Sequence, residues 1–192
     1  TVDAAGVFTA DSVAGDYPAS LLISSGGVSG VTDIKVIPNT PAEIVITRPT
    51  QTVSTTRTLL YSALVKDAFG NVIPDAQVSW SIGAAGGATI DPVTGRVTAG
   101  CGAGSYLNAV TASFGGVSNS ADLIVDQGGA IITTINIAPA SLNIPATTQA
   151  NFSATVTDAC GFTRPATTPS FSVNSGAGSI QPDGAFTLSL IH

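Results

Sequence analysis

The chain has 192 residues, of which 44% are hydrophobic and only 9% are charged, with 21 glycines, 11 prolines and a formal net charge of −6. Helix formers such as Glu, Lys and Gln are scarce while β-branched residues and turn formers are abundant, which argues against a helical protein. The six basic residues are spread singly, which argues against a nucleic-acid surface. Apolar residues alternate with Ser and Thr and never form the run of about 20 that a membrane-spanning helix needs, so we expect no membrane insertion.

Residues 1–37 read as the C-terminal part of a module that recurs along the chain. Within them, Ala14–Val36 aligns without gaps with Ala103–Val125. A self-match at a period of about 90 residues predicts tandem modules. Residues 38–43 then form a short joint that contains proline.

Residues 44–126 form a complete module. Tyr61 and Val65 fall on one face of an alternating segment, and Trp80 alternates with serines in the next one. Asp67–Asn71 reads as a turn between them. We predict seven short strands in about 80 residues, a density typical of an immunoglobulin-like β-sandwich. One face of the sixth strand is expected to consist of Tyr106, Asn108, Val110 and Ala112.

A second joint covers residues 127–133, and residues 134–192 read as the N-terminal part of a third module. Here Phe152–Val173 repeats Tyr61–Ile82, with Phe171 at the tryptophan position. The fold class predicted for the whole chain is therefore all-β, with Greek-key immunoglobulin-like sandwiches in tandem and incomplete modules at both ends.

The incomplete end modules have two explanations, because a half-formed sandwich exposes its core and its strand edges. In the first, the sequence is a window on a longer tandem array. In the second, the N-terminal strands of one copy complete the C-terminal half-module of another, which joins copies head to tail by strand complementation. Both ends carry a similar turn, at Val2–Gly6 and Ile180–Gly184, so complementation leaves one turn redundant, which favours the longer array.

Five segments follow one another at module spacing. They are Asp67–Pro74 (DAFGNVIP), Val78–Ser81 (VSWS), Thr89–Gly100 (TIDPVTGRVTAG), Ala103–Tyr106 (AGSY) and Ala112–Ala121 (ASFGGVSNSA). In this order they resemble the bacterial immunoglobulin-like repeats that occur in tandem in invasin- and intimin-like surface proteins and in very large bacterial exoproteins. The resemblance covers essentially the whole chain. It implies sandwiches of two antiparallel sheets that serve as a spacer, stalk, filament or adhesin arm.

Aromatic residues agree with that fold. Trp80 is placed like the core tryptophan of an immunoglobulin sandwich. Tyr106 is placed like a tyrosine corner, whose hydroxyl bonds to the backbone, and Tyr17 holds the same position in the first module. The residues expected to be structural are Tyr17, Tyr61, Trp80, Tyr106, Phe152 and Phe171.

No catalytic set is recognisable, so we do not expect an enzyme. A general base must lie near its nucleophile, and the only histidine is His192, the last residue. Asp67, Asp91 and Asp158 sit in turns, where aspartate side chains bond nearby backbone amides. No acidic loop has the ligand spacing of a calcium site, and we expect neither a metal nor a cofactor.

The two cysteines lie in different modules. Cys101 aligns with Ser12 of the first module and Cys160 aligns with Phe69 of the second, so a pair within one module is not the pattern. In the sandwich topology, Cys101 lies in a loop at the exit pole of one module and Cys160 in a turn at the entry pole of the next. We predict an inter-module disulfide, Cys101–Cys160, because the inferred compartment is oxidising. The alternative is two free thiols.

Together these features predict a secreted or surface-anchored bacterial protein with a structural role, whose modules in series form a stalk, sheath or filament. Its partners are then other copies of itself or further modules of the same chain. The rival prediction is an adhesin or carbohydrate-binding arm that binds host-cell or surface glycans through loops at a module pole. Exposed aromatic residues favour the rival, and Phe114 and Phe162, both in loops, are the candidates.

Overall fold

The computed structural model describes residues 1–128, 131–145, 148–164, 169–174 and 178–188. Every regular element in this part of the chain is a β-strand. The predicted fold class, all-β with immunoglobulin-like sandwich architecture, is confirmed. The chain divides into two units, Thr1–Asp126 and Gln127–His192. No helix in the described ranges is long and apolar enough to cross a membrane.

The first unit is described completely and consists of a two-stranded antiparallel hairpin followed by a sandwich. Its strands are short and are separated by turns that contain Gly, Asp and Pro, as the composition predicts. In chain order they are β1 (Gly15–Ser25), β2 (Val28–Val36), β3 (Pro41–Ile46), β4 (Thr50–Ser54), β5 (Thr58–Leu60), β6 (Ala63–Asp67), β7 (Ser79–Ile82), β8 (Thr89–Ile90), β9 (Arg96–Thr98), β10 (Gly104–Phe114) and β11 (Val117–Asp126).

The sandwich is built from one four-stranded sheet, β4-β11-β10-β7, and two smaller sheets, β3-β6 and β5-β9-β8. In the larger sheet β10 pairs antiparallel with β7 and β11, whereas β4 pairs parallel with β11. Alternation turns every second side chain inward, so each sheet contributes to one core. Among the side chains that are almost completely buried there are Ile44, Val65, Val97, Val110 and Leu123.

The sandwich has nine strands between Pro41 and Asp126, rather than the seven predicted. The additional strands, β4 and β5, lie in a threonine-rich stretch without clear apolar alternation. β4 is held by backbone pairing to β11, which side-chain patterns do not reveal. Pro49, which the sequence pattern marks as a break, accepts a hydrogen bond with its carbonyl oxygen from the N–H of Asp122 at 2.7 Å.

Strand β10 contains a bulge that corrects the predicted face. Its pairing with β11 shifts between Tyr106 and Val110, and Asn108 adopts a φ of 51°. Asn108 is therefore exposed while Val110 is buried, so the prediction that they share one face is wrong. The N–H of Asn108, which the bulge removes from the ladder, donates to Asp122 Oδ1 at 2.8 Å.

The second unit repeats part of the sandwich in its described residues. β12 pairs with β14, as β3 pairs with β6, and the sheet β13-β16-β15 corresponds to β5-β9-β8. The strands are β12 (Ile132–Ala138), β13 (Gln149–Asn151), β14 (Ser153–Asp158), β15 (Gly178–Ile180) and β16 (Ala185–Leu188). The division into three modules with joints at 38–43 and 127–133 stays a prediction, and residues 129–130 of the second joint and His192 lie outside the described residues.

Candidate functional site

The turn after β6 is organised by one buried carboxylate, that of Asp67. Its Oδ1 accepts hydrogen bonds from the N–H groups of Phe69 and Asn71, and its Oδ2 accepts from Asn71 Nδ2 and from the N–H of Asn39, each at 2.9 Å. Burial opposes ionisation, but these donors outweigh it and lower the pKa of Asp67 from 3.8 to about 2. The carboxylate therefore ties the joint that precedes β3 to this turn.

Asn71 connects the same turn to the hairpin β1-β2. Its Nδ2 donates to the carbonyl oxygen of Ser12 at 2.6 Å, and its Oδ1 accepts from the N–H of Ala14 at 2.9 Å. Both partners lie in the loop directly before β1. Because one side-chain amide both donates to and accepts from backbone groups, it fixes the loop in position and orientation. The hairpin and the sandwich are thus joined by side-chain hydrogen bonds as well as by the chain.

The corresponding turn of the second unit keeps the carboxylate and changes its partners. Asp158 Oδ1 accepts from the N–H groups of Cys160 and Phe162 at 2.8 and 3.0 Å, and Arg164 Nε donates to its Oδ2 at 2.9 Å. Burial opposes ionisation of Asp158, but the backbone donors and the guanidinium lower its pKa. Arg164 therefore occupies the carboxylate oxygen that Asn71 and Asn39 share in the first turn.

Cys101 and Cys160 are disulfide-bonded. The chain contains two cysteines, so they are bonded to each other, and the predicted pairing is confirmed. Ser12, which aligns with Cys101, binds Asn71 through its carbonyl oxygen, and Phe69, which aligns with Cys160, lies in the turn that contains Asn71. The same two module positions therefore take part in a hydrogen-bonded joint at one place and in a covalent bond at the next.

A groove of about 510 Å³ lies beside the hydrogen-bonded joint. The loop before β1, residues 36–39 and the turn after β6 line it, and Phe69 and Ile37 stand exposed at its surface. This volume suits a small ligand. The sequence analysis did not single out Phe69, although its place at the tip of a predicted turn could have indicated exposure.

The two aromatic residues predicted as exposed candidates are both half-buried. Phe114 packs against the sandwich core. Phe162 donates its N–H to Asp158 and lies in the organised turn. Neither side chain offers an open aromatic face of the kind that Phe69 presents.

Tyr61 and Trp80 lie in the sandwich core, with ring centroids 6.1 Å apart. The Tyr61 hydroxyl donates to the carbonyl oxygen of Asp122 at 2.6 Å. Burial, with a smaller contribution from the charge of Asp122, raises the pKa of Tyr61 to about 12. The half-buried Tyr106 donates its hydroxyl to the carbonyl oxygen of Gly102 at 3.0 Å, which is the contact of a tyrosine corner.

The other aromatic residues predicted to be structural are less enclosed. Tyr17 is exposed, but its hydroxyl donates to the carbonyl oxygen of Val13 at 2.9 Å, as Tyr106 does in the sandwich. Phe152 and Phe171 are half-buried in the second unit, and Phe152 meets Phe186 edge to face at 6.2 Å between centroids. A structural role for these residues stays a prediction.

Catalytic and metal chemistry finds little to build on in the described residues. Among them, no group of three or more His, Cys, Asp or Glu side chains is placed to hold a metal ion. Asp91 organises its own turn, since its Oδ1 accepts from the N–H groups of Val93 and Thr94 at 3.0 and 2.8 Å. These two bonds are the main reason that the pKa of Asp91 is lowered. That the protein is not an enzyme stays a prediction.

None of the protein-family models and none of the curated proteins matches this chain. Solved structures that resemble it include an Escherichia coli adhesin, FdeC, at 17% identity and a TM-score of 0.49, over 85% of this chain and 62% of that chain. Domains 5–6 of the S-layer protein SbsC match at 16% identity and a TM-score of 0.37, over 78% of this chain and 84% of that chain. This chain therefore spans less than two thirds of the FdeC chain. At TM-scores below 0.5 these likenesses carry no weight for function.

Proposed function

We propose that this chain is a structural extracellular protein whose immunoglobulin-like modules are joined in series as a stalk, sheath or filament. The observation that carries this proposal is the joint between the hairpin and the sandwich. Modules in series transmit force only where their joints are fixed, and Asn71 fixes this joint through Ser12 and Ala14. The resemblance to tandem bacterial surface repeats supports the same role.

The disulfide supports a location outside the cytoplasm, because disulfides persist mainly in oxidising compartments. Cys101 and Cys160 belong to different units, so the bond also closes the intervening chain into a covalent loop. A bond of this kind limits how far the chain extends under load. We propose that it locks the second joint, as hydrogen bonds hold the first.

Negative-stain electron microscopy of the native protein tests the structural role. We expect thin rods or fibres with a regular axial repeat, because modules that are joined in series repeat along one direction. Separate round particles, without rods at any concentration, would contradict the proposal.

A role as a glycan-binding arm is the second candidate, and the exposed ring of Phe69 beside the groove favours it. If the groove binds glycans, Phe69→Ala abolishes retention on a glycan array. Val93→Ala, at an equally exposed apolar side chain in another turn, serves as the control and leaves retention unchanged. Absence of retention for the unsubstituted chain would remove this candidate.

A further inference from the structure

The hairpin β1-β2 exposes a face that is buried in the sandwich. Ala112 and Leu123, on the inner face of β10-β11, are completely buried. Their equivalents on the hairpin are Ile23 and Ile34. Ile23 is 66% exposed where Ala112 is 0% exposed, and Ile34 is half-buried. The hairpin therefore presents an apolar face that lacks the cover that the sandwich provides.

The hairpin nevertheless has the shape of the completed module. Its pairing shifts between Tyr17 and Leu21, at the position of the bulge in β10, and Ala19 adopts a φ of 49° there. Asp33 Oδ1 accepts the N–H of Ala19 at 2.7 Å, as Asp122 accepts the N–H of Asn108. A shape that matches β10-β11 in this detail is prepared for the neighbours that β10-β11 has.

Those neighbours are strands on both edges. In the sandwich, β10 pairs with β7 and β11 pairs with β4, whereas β1 and β2 form a sheet of two strands. An isolated two-stranded ribbon is only marginally stable in water, and its open edges are templates for further strands. The hairpin therefore needs two strands and the apolar face that accompanies them.

The second unit has the opposite gap. Ile135 on β12 is 57% exposed, whereas the aligned Ile44 on β3 is 2% exposed. The segments aligned with β4 and β7 are 141–145 and 170–173, and neither is a strand although both are described. In the sandwich, β4 and β7 pair with β11 and β10 respectively, so these segments lack the hairpin that would make them strands.

We infer that the second unit of one copy takes up the hairpin β1-β2 of another copy, and this rests on the proposed role as an assembly of modules in series. The pairing follows the register of the sandwich. Segment 21–24 of the hairpin runs antiparallel to segment 170–173, as segment 110–113 runs to β7. Segment 33–37 runs parallel to segment 141–145, as segment 122–126 runs to β4.

The side chains that meet in this register compensate one another in size. In the sandwich, Ala112 lies opposite Trp80. In the proposed pairing, Ile23 lies opposite Phe171, so a larger aliphatic residue faces a smaller aromatic one. Cores tolerate such exchanges where the total volume is kept. Each copy has one hairpin and one acceptor unit, so the contact is heterologous and copies join head to tail.

The first test compares two substitutions on the hairpin by sedimentation of the full chain over a range of concentrations. Ile23→Asp places a charge on the inner face, and Leu22→Asp places it on the outer face at a site that is 62% exposed. We expect the unsubstituted and Leu22→Asp chains to form species above the 19.0 kDa of one copy, and association of Ile23→Asp to be at least tenfold weaker. Equal association of both variants, or a 19.0 kDa unsubstituted chain at every concentration, would overturn the inference.

The second test mixes two blocked chains. Ile23→Asp keeps a working acceptor unit, and Ile135→Asp keeps a working hairpin. Each alone should remain a single copy, while an equimolar mixture should form pairs and nothing larger, because one hairpin and one acceptor remain. Association of Ile135→Asp alone would indicate that hairpins pair with each other and would overturn the inference.

Two controls separate misfolding from lost association. Trp80 is the only tryptophan and lies in the sandwich core, so its fluorescence should be the same in every variant. Rods in the native protein together with a chain that does not associate would refute complementation and leave the modules-in-series role standing. The opposite result, association without rods, would do the reverse.

Discussion

At the scale of single residues, one turn determines how two parts of the chain are joined. The sequence predicted that Asp67 bonds nearby amides, because turn aspartates do so locally. It could not predict the role of Asn71, whose partner Ser12 lies 59 residues away. A local pattern identifies contacts within a turn, whereas long-range contacts depend on the packed fold.

The carboxylate of Asp67 makes stability depend on acid. Its pKa is about 2 in the folded chain against 3.8 for a free side chain, so its stabilising contribution is complete above pH about 4 and is lost as the pH falls through 2. We expect Asp67→Asn to be less stable at pH 7 and to lose less stability than the unsubstituted chain between pH 4 and 2. Denaturant unfolding of the first unit at stepped pH measures this. Asp75→Asn, at an exposed position, is the control, and an unchanged acid slope in Asp67→Asn would contradict the assignment.

Asn71→Ala should loosen the hairpin without unfolding the sandwich. The substitution removes the donor to Ser12 and the acceptor of the Ala14 N–H, contacts with a net worth of about 1 kcal/mol each. Hydrogen exchange at the Ala14 amide should therefore become several-fold faster, while exchange in β10 stays the same. Gln77→Ala is the matched control, because Gln77 Nε2 donates within its own turn. Unchanged exchange at Ala14 would show that the chain alone holds the joint.

At the scale of elements, alternation predicted the strands that bury side chains and missed the strands that do not. β6 and β7 show clear alternation around Val65 and Trp80. β4 shows none, because its parallel pairing to β11 uses backbone groups and its side chains are largely polar. The bulge at Asn108 was missed for a related reason, since a register shift is a property of two strands and not of one sequence.

Two glycines separate backbone strain from core crowding. Gly95 and Gly70 both have positive φ, at +72° and +85°. A Cβ on Gly95 would lie 2.8 Å from the Tyr61 carbonyl oxygen and 2.9 Å from the Trp80 ring, whereas a Cβ on Gly70 meets nothing within 4 Å. We expect Gly70→Ala to lower the free energy of unfolding by about 1–2 kcal/mol from strain alone, and Gly95→Ala to lower it at least twice as much. Urea unfolding followed by Trp80 fluorescence tests this, and equal losses would contradict the packing described for Gly95.

At the scale of the whole molecule, the repeat made the disulfide predictable and left the exposed faces unpredictable. Alignment put Cys101 and Cys160 at positions that face a joint, so their pairing followed from topology. Alignment also equated Ile23 with Ala112, but equivalent positions in a sequence need not be equally buried. Burial depends on which neighbours are present, and that is visible only in the fold.

Reduction should change the chain in a defined way. Breaking one disulfide adds two hydrogen atoms, so the intact mass should rise by about 2 Da. In the chain-entropy description the bond stabilises by about 2–4 kcal/mol, so Cys101→Ser should unfold at lower denaturant than the oxidised protein. The unsubstituted chain in reductant is the control and should match Cys101→Ser. An unchanged mass on reduction would contradict the bond.

Pulling a single molecule from its two ends, with and without reductant, tests most directly whether the modules act as mechanical elements in series. The account predicts that the sandwich resists and then unfolds in one cooperative step. It also predicts that reduction lengthens the fully extended chain by about 210 Å, because roughly 59 residues separate the cysteines and each contributes at most about 3.6 Å. Extension without resolvable resistance, or equal lengths in both conditions, would contradict the account.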